Sequence, residues 1–325
     1  MRAAIVERPG VLGVREVADP QPGEYEALCE LLYGATCSGT DHHLLAGRFP
    51  WPVQYPTILG HESVGRVIAV GARVRSFRVG QLLTRVGAPA TQELSVNWGG
   101  FAELGIARDH RAMREDGLPA AAWHAYRVNQ VLPEGSDPRA ATMVITWRET
   151  LSYATRMGIG AGARVLILGS GGNGLAFVRH AANLGGRRGG IDRVLPCLRP
   201  GGTVGIYGID DYGQCAIDPH RSRGSLTIYN GGYDEAEAHE RVVALWQKGL
   251  LDARLWLDLE HPFELEEIAR AMAAVGERRL VKALVRLSGL GQERGRGYQQ
   301  GGCLATKGGL LKDGGPSPRR VAPPR

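Results

Sequence analysis

Arg164-Val165-Leu166-Ile167-Leu168-Gly169-Ser170-Gly171-Gly172-Asn173-Gly174 is the stretch on which the reading of the fold turns. A short apolar run, of the kind that forms a strand buried on both faces, leads straight into G-x-G-x-x-G, and Leu175 to Leu184 continues as a helix. Each glycine has a physical task. Gly169 permits the tight turn, Gly171 lets backbone approach a pyrophosphate, and Gly174 allows helix and strand to pack closely. Gly172 and Asn173 complete the loop, and the helix N-terminus adds partial positive charge. The strand–turn–helix context favours a dinucleotide-binding turn, with a plain βα turn as the alternative.

Working outward, Thr203 to Gly208 and Ser225 to Tyr229 read as two further buried-type strands. Ala236 to Lys248 and Leu265 to Val275 have the apolar spacing of amphipathic helices, and Arg279 to Leu287 reads as a closing strand. Upstream, Ala140 to Met157 reads as helix. Before it, residues 1 to about 110 are short strands punctuated by glycine and proline, an all-β pattern. The fold class is therefore α/β, a β-rich part joined to a parallel-sheet part.

The 325 residues are 43% hydrophobic and 22% charged, which fits a globular chain of two domains and excludes a disordered or fibrous one. No apolar run is long enough for a membrane helix, and the N-terminus enters a β-like alternation at once, so a cytoplasmic protein is expected. Five scattered cysteines, Cys29, Cys37, Cys197, Cys215 and Cys303, suit buried thiols or metal ligands better than disulfides. The net charge is +6, but seven Arg/Lys against two acids place +5 of it after Leu287. That tail, with ten glycines and four prolines in 38 residues, is expected to be disordered. Neither a nucleic acid nor a membrane is expected as partner.

Cys37-Ser38-Gly39-Thr40-Asp41-His42-His43 and Gly60-His61-Glu62 gather a thiol, three imidazoles and two carboxylates within 26 residues. Thiolate with imidazole and carboxylate suits zinc, and three protein ligands beside an open position is the catalytic arrangement.

Gly60-His61-Glu62-x-x-Gly65-x-Val67-x-x-Val70-Gly71 resembles the zinc motif of the medium-chain, zinc-dependent alcohol dehydrogenases. Gly99-Gly100-Phe101-Ala102-Glu103, Trp147-Arg148-Glu149-Thr150-Leu151 (Thr150 standing for a proline), Leu198-Arg199-Pro200-Gly201-Gly202 and Leu280-Val281-Lys282 resemble later motifs of that family. The resemblance implies a GroES-like catalytic domain over 1–151 and a shortened Rossmann domain over 152–250. The chain would return to the catalytic domain over 251–287, with the tail over 288–325. It implies Cys37, His61, Glu62 and Glu149 at one catalytic zinc, Glu62 as a ligand or an adjacent switch carboxylate, Glu149 as a ligand or just outside the ligand shell, and Thr40 and His43 as a proton relay. NAD or NADP would be the cofactor, an alcohol or polyol the substrate, and a dimer or tetramer the assembly.

The chain departs from the family pattern in four ways. Cys37 lies one residue further from Thr40 than the usual spacing, with Ser38 in the expected place. The four-cysteine structural zinc lobe is absent between Leu83 and Trp98, so no structural zinc is expected. Only 26 residues separate Gly174 from Gly201, leaving on the order of 60 residues of a full doubly wound domain missing. Two outcomes are open: the gap is closed by pairing the Arg164 strand directly with a late strand, or the shortened domain is unstable. Asp192 stands near the position of a ribose-binding acid, but Gly190 to Leu195 reads rather as a helix start, leaving NAD and NADP undistinguished. The gap also supports a second reading, a zinc-binding homologue that has lost dinucleotide binding and catalysis.

Overall fold

β1 (Arg2–Arg8) carries four consecutive residues, Ala3 to Val6, that are fully buried, so both faces of this strand are covered. It pairs antiparallel with β2 (Val11–Glu16). There follow β3 (Glu26–Ala35), α1 (Thr40–Leu45), β4 (Thr57–Ile58), β5 (Glu62–Val70), β6 (Leu82–Thr84), β7 (Ser95–Val96) and β8 (Leu104–Arg108). Helices α2 (His110–Glu115), α3 (Ala120–Trp123), α4 (Pro138–Ala141) and α5 (Met143–Arg156) lead out of the β-rich part. This computed structural model describes residues 1–169, 171–185, 187–188, 199–208 and 224–288. Asp192, its proposed helix and the tail beyond Ser288 lie outside the described residues.

One sheet has the order β2-β1-β4-β7. The larger one is built on β3, with β5 antiparallel along one edge. The opposite edge is shared: β8 pairs with Glu26–Glu30, and the last strand takes Tyr33–Ala35. Between the sheets Ile5, Leu31, Ile58 and Phe101 form one core. Gly60 is required at its place. Its φ is +92°, and a Cβ there would lie 2.7 Å from the Phe101 backbone nitrogen.

The parallel-sheet part begins with β9 (Arg164–Val165), then α6 (Gly172–Asn183), β10 (Arg187–Arg188), β11 (Gly202–Gly205) and β12 (Leu226–Tyr229). α7 (Glu235–Gln247), β13 (Phe263–Glu264), α8 (Ile268–Gly276) and β14 (Leu284–Arg286) complete the chain. β9 pairs in parallel with β10, and β11 with β12. Among the described residues the Arg164 strand pairs with β10, across a β9–α6–β10 crossover, and not with a late strand. The Rossmann-type α/β character is present in these pairs and helices, with β9 and β14 shorter than the apolar runs suggest. The helix expected over Ala140 to Met157 is divided at Thr142, whose hydroxyl donates to the Arg139 carbonyl at 2.8 Å. Among the described residues no helix is long and apolar enough to cross a membrane.

α5 is the central pillar, packed on α6 and α7 around the fully buried Trp147, whose ring lies 5.8 Å from that of Trp256. Next to Trp147, Arg148 is also fully buried. It donates to Glu235 Oε2 at 2.7 Å, Thr84 Oγ1 at 3.0 Å and the Val128 carbonyl at 3.1 Å, so this cation ties α5 to α7 and to β6. Arg148→Ala leaves Glu235 with one partner fewer in the interior and is expected to cost roughly 3–5 kcal/mol by urea unfolding. A loss below about 1 kcal/mol would mean that Arg85, 2.9 Å from Glu235, compensates fully.

His180 of α6 is fully buried, and burial pushes its pKa down to about 4. Below about pH 6.5 the unfolded chain binds a proton that the folded chain refuses. Its contribution is whole above that pH and is lost as pH falls toward 4. The fall in stability from about pH 6.5 to 4.5 should be shallower in His180→Gln by about 1 kcal/mol or more. Parallel curves for variant and wild type would remove His180 from the acid response.

Candidate metal centre

β3 ends at Ala35, and the chain turns through Thr36–Gly39 into α1. In that turn the Cys37 amide donates to Asp41 Oδ2 at 2.8 Å, and the Thr40 amide hydrogen-bonds the Cys37 sulfur. Cys37 is buried and Ser38 exposed, so the extra residue before Thr40 is taken up on the solvent side. The positive-φ Gly60 then sets His61 and Glu62, at the head of β5, opposite this turn. Cys37 Sγ, a His61 ring nitrogen and a Glu62 oxygen all lie within 4.8 Å of one another, and all three residues are buried.

Glu62 is the most heavily bonded member. Lys282 Nζ donates to its two oxygens at 2.6 and 2.7 Å, and Thr146 Oγ1 donates at 2.8 Å. Burial works against the Lys282 ammonium, but Glu62 and Cys37 outweigh it and hold its pKa above the ordinary value. His61 has Nε2 at 3.6 Å from Glu62 Oε1 and Nδ1 at 3.8 Å from Asp41 Oδ1. Neither His61 Nδ1 nor Asp41 Oδ1 makes a hydrogen bond, although both are buried. Burial, with Arg85 and Lys282 nearby, holds His61 neutral by driving its pKa well down. The same desolvation raises the Asp41 carboxyl to about 7 and the Cys37 thiol to about 11.

Glu149, on α5, lies outside this close group. It accepts from the hydroxyls of Tyr207 and Tyr233, each at 3.3 Å, and Arg85 Nη1 is 3.5 Å away. Burial and Glu235 raise its pKa to about 7. Arg85 adopts a left-handed backbone (φ +60°), uncommon for a residue with a side chain. It donates to the His61 carbonyl at 3.1 Å and lies over the Trp98 ring, which in turn lies 5.2 Å from the His61 ring. Thr40 opens α1. His43 is half-buried, with Nδ1 donating to the Gly39 carbonyl at 2.7 Å.

In the Gly-rich turn, Gly169 has φ +128°, and Gly171 caps α6. A Cβ on Gly174 would meet the Gly169 carbonyl oxygen at 2.5 Å, the close helix–strand approach expected of the third glycine. Gly172 is buried, with its carbonyl accepting from Trp256 Nε1 at 2.8 Å, and Asn173 follows it in the first turn of α6. Sequence reasoning passes over Arg85, Lys282, Tyr207 and Tyr233. Lys282 is seen there only as part of the Leu280-Val281-Lys282 motif, with no role given to its ammonium.

Residues 23–118 match the alcohol dehydrogenase GroES-like domain. The L-galactonate-5-dehydrogenase of Escherichia coli is 28% identical over 183 residues, 54% of this chain and 51% of that protein. The sorbitol dehydrogenase of Halalkalibacterium halodurans is 30% identical over 182 residues, again 54% and 51%. The chain thus spans about half the length of these curated relatives. A Sinorhizobium meliloti 1021 protein described as a zinc-binding dehydrogenase, solved with NADP bound, shares the fold. Its TM-score is 0.66 at 22% identity, covering 88% of this chain and 98% of that one. Residues 23–118 thus resemble the GroES-like domain of alcohol dehydrogenases, and the chain shares the fold of the zinc-binding dehydrogenase solved with NADP.

Proposed function

We propose that the chain is a zinc-dependent oxidoreductase that moves a hydride between an alcohol or polyol and NAD or NADP. The observation that carries this reading is the buried approach of Cys37, His61 and Glu62 to within 4.8 Å. The donor set suits zinc. The bare Nδ1 of His61 and Oδ1 of Asp41 also suit it, because a ligating imidazole donates its other N–H to a carboxylate. Glu149, whose three contacts are all 3.3 to 3.5 Å, would serve as a further ligand or lie just outside the ligand shell. Relatives that act on a sugar acid and on sorbitol, and a fold neighbour holding NADP, agree with the substrate class and cofactor type.

Bound zinc would supply a Lewis acid for the substrate oxygen. The chain's own residues would do the rest. Asp41 orients His61 through Nδ1. Thr40 receives the hydroxyl proton, and His43 takes it up on the solvent side. Gly169, Gly171, Gly172, Asn173 and Gly174 present backbone to the dinucleotide phosphates at the start of α6.

His61→Ala is expected to reduce zinc from about one per chain to near zero by elemental analysis. Full occupancy in that variant would remove His61 from the ligand set. Gly174→Val puts a side chain into the Gly169 carbonyl and should weaken NADH and NADPH binding by about tenfold or more in a fluorescence titration, with zinc content unchanged. If the folded, zinc-loaded wild type binds neither dinucleotide, the reading of a zinc-binding homologue without dehydrogenase activity takes over.

A further inference from the structure

Lys282 stands between the two features on which the proposed function depends. Its ammonium directs three hydrogen bonds into the cluster, to Glu62 Oε1 at 2.6 Å, Glu62 Oε2 at 2.7 Å and the Thr36 carbonyl at 3.2 Å. An ammonium has three N–H donors, so none is left over. The stem of the same side chain lies beside the Gly-rich turn. A Cβ built on Gly172 would sit 3.2 Å from Lys282 Cε and 3.4 Å from the Trp256 ring. One residue, 3% exposed, therefore bonds a candidate ligand with its tip and has its stem beside the first residue of α6, close enough to leave little room for a side chain there.

We infer that Lys282 is a positioning residue that couples cation binding to dinucleotide binding, an inference that rests on the function proposed above. In the cation-free chain the ammonium is the counter-charge of Glu62. A divalent cation entering among Cys37, His61 and Glu62 competes for the same two oxygens, and the ammonium gives up part of its bonding. A buried cation short of partners is costly. A phosphate at the N-terminus of α6 relieves that cost, because it brings negative charge to the turn beside which the lysine stem lies. Cation and dinucleotide thus raise each other's affinity, by the same factor in both directions.

The test uses the full chain stripped of metal. Zinc affinity is read by competition with a chromophoric chelator, with and without NADH or NADPH. Dinucleotide affinity is read by fluorescence, with and without zinc. In the wild type each ligand should tighten the other roughly 5- to 150-fold. In Lys282→Met zinc should bind about tenfold tighter or more, its competitor gone, and the coupling factor should fall to about one. Lys282→Arg keeps the charge and should keep the coupling. A folded Lys282→Met chain with full coupling, or with zinc bound no tighter, overturns the inference. Should Lys282→Met lose its far-UV dichroism, the wild type decides. A factor of one with both ligands bound overturns the Lys282 inference alone, whereas no dinucleotide binding by folded, zinc-loaded chain overturns the proposed function with it.

Discussion

The ion pair of Lys282 with Glu62 joins residues 220 apart in sequence, one 3% and the other 1% exposed. Neither charge could stay in the interior without the other, since removing one partner of such a pair costs roughly 3–5 kcal/mol. Two more contacts lie beside it: the Ala283 amide donates to Thr36 Oγ1 at 2.9 Å, and Leu284 to Arg286 pair with Tyr33 to Ala35. The pair thus fixes the last strand on β3 and, through Glu62, fixes the head of β5. The turn bearing Cys37 lies between those two strands. The geometry of the candidate centre follows from a long-range constraint more than from local propensity.

Around that pair the interior carries an unusual density of charge. Among the described residues, Glu62, Asp41, Glu149 and Glu235 face Lys282, Arg85 and Arg148. Four carboxyl groups meet three cations there, and burial raises Asp41 and Glu149 to about 7, so the group is near neutral balance at pH 7. Arg85 and Arg148 both hold Glu235, Lys282 holds Glu62, and Asp41 and Glu149 are the carboxyl groups that burial leaves with raised pKa.

Much of this is legible in the sequence, and what is not has physical reasons. Cys37, His61 and Glu62 stand out because metal chemistry restricts both residue type and spacing, and Gly174 because only glycine tolerates the Gly169 carbonyl so close. The β-rich and parallel-sheet parts follow from the switch in apolar pattern between residues 110 and 164. Lys282 and Arg85 are not legible in the same way. Each acts across the fold, on Glu62 and on the His61 carbonyl, and no local periodicity reports a partner 220 or 24 residues away. The strand ends are also beyond it. Leu166 to Leu168 are as apolar as Val165, but among the described residues the ladder partners of β9 are Arg187 and Arg188.

The parallel strands raise a question of support. β9–β10 and β11–β12 are each two strands wide among the described residues, and two strands alone are marginal in water. A wide sheet would normally hold a Gly-rich turn in place from behind. Here the start of α6 is also gripped from outside the sheet, by the Trp256 indole on the Gly172 carbonyl, with the Lys282 stem beside Gly172 itself. Trp256 in turn packs on Trp147 in the pillar helix. The turn is therefore fastened to the same buried framework that shapes the metal cluster. A turn so anchored keeps its geometry only while that framework keeps its own, which ties the two halves of the proposed chemistry to a single set of buried contacts.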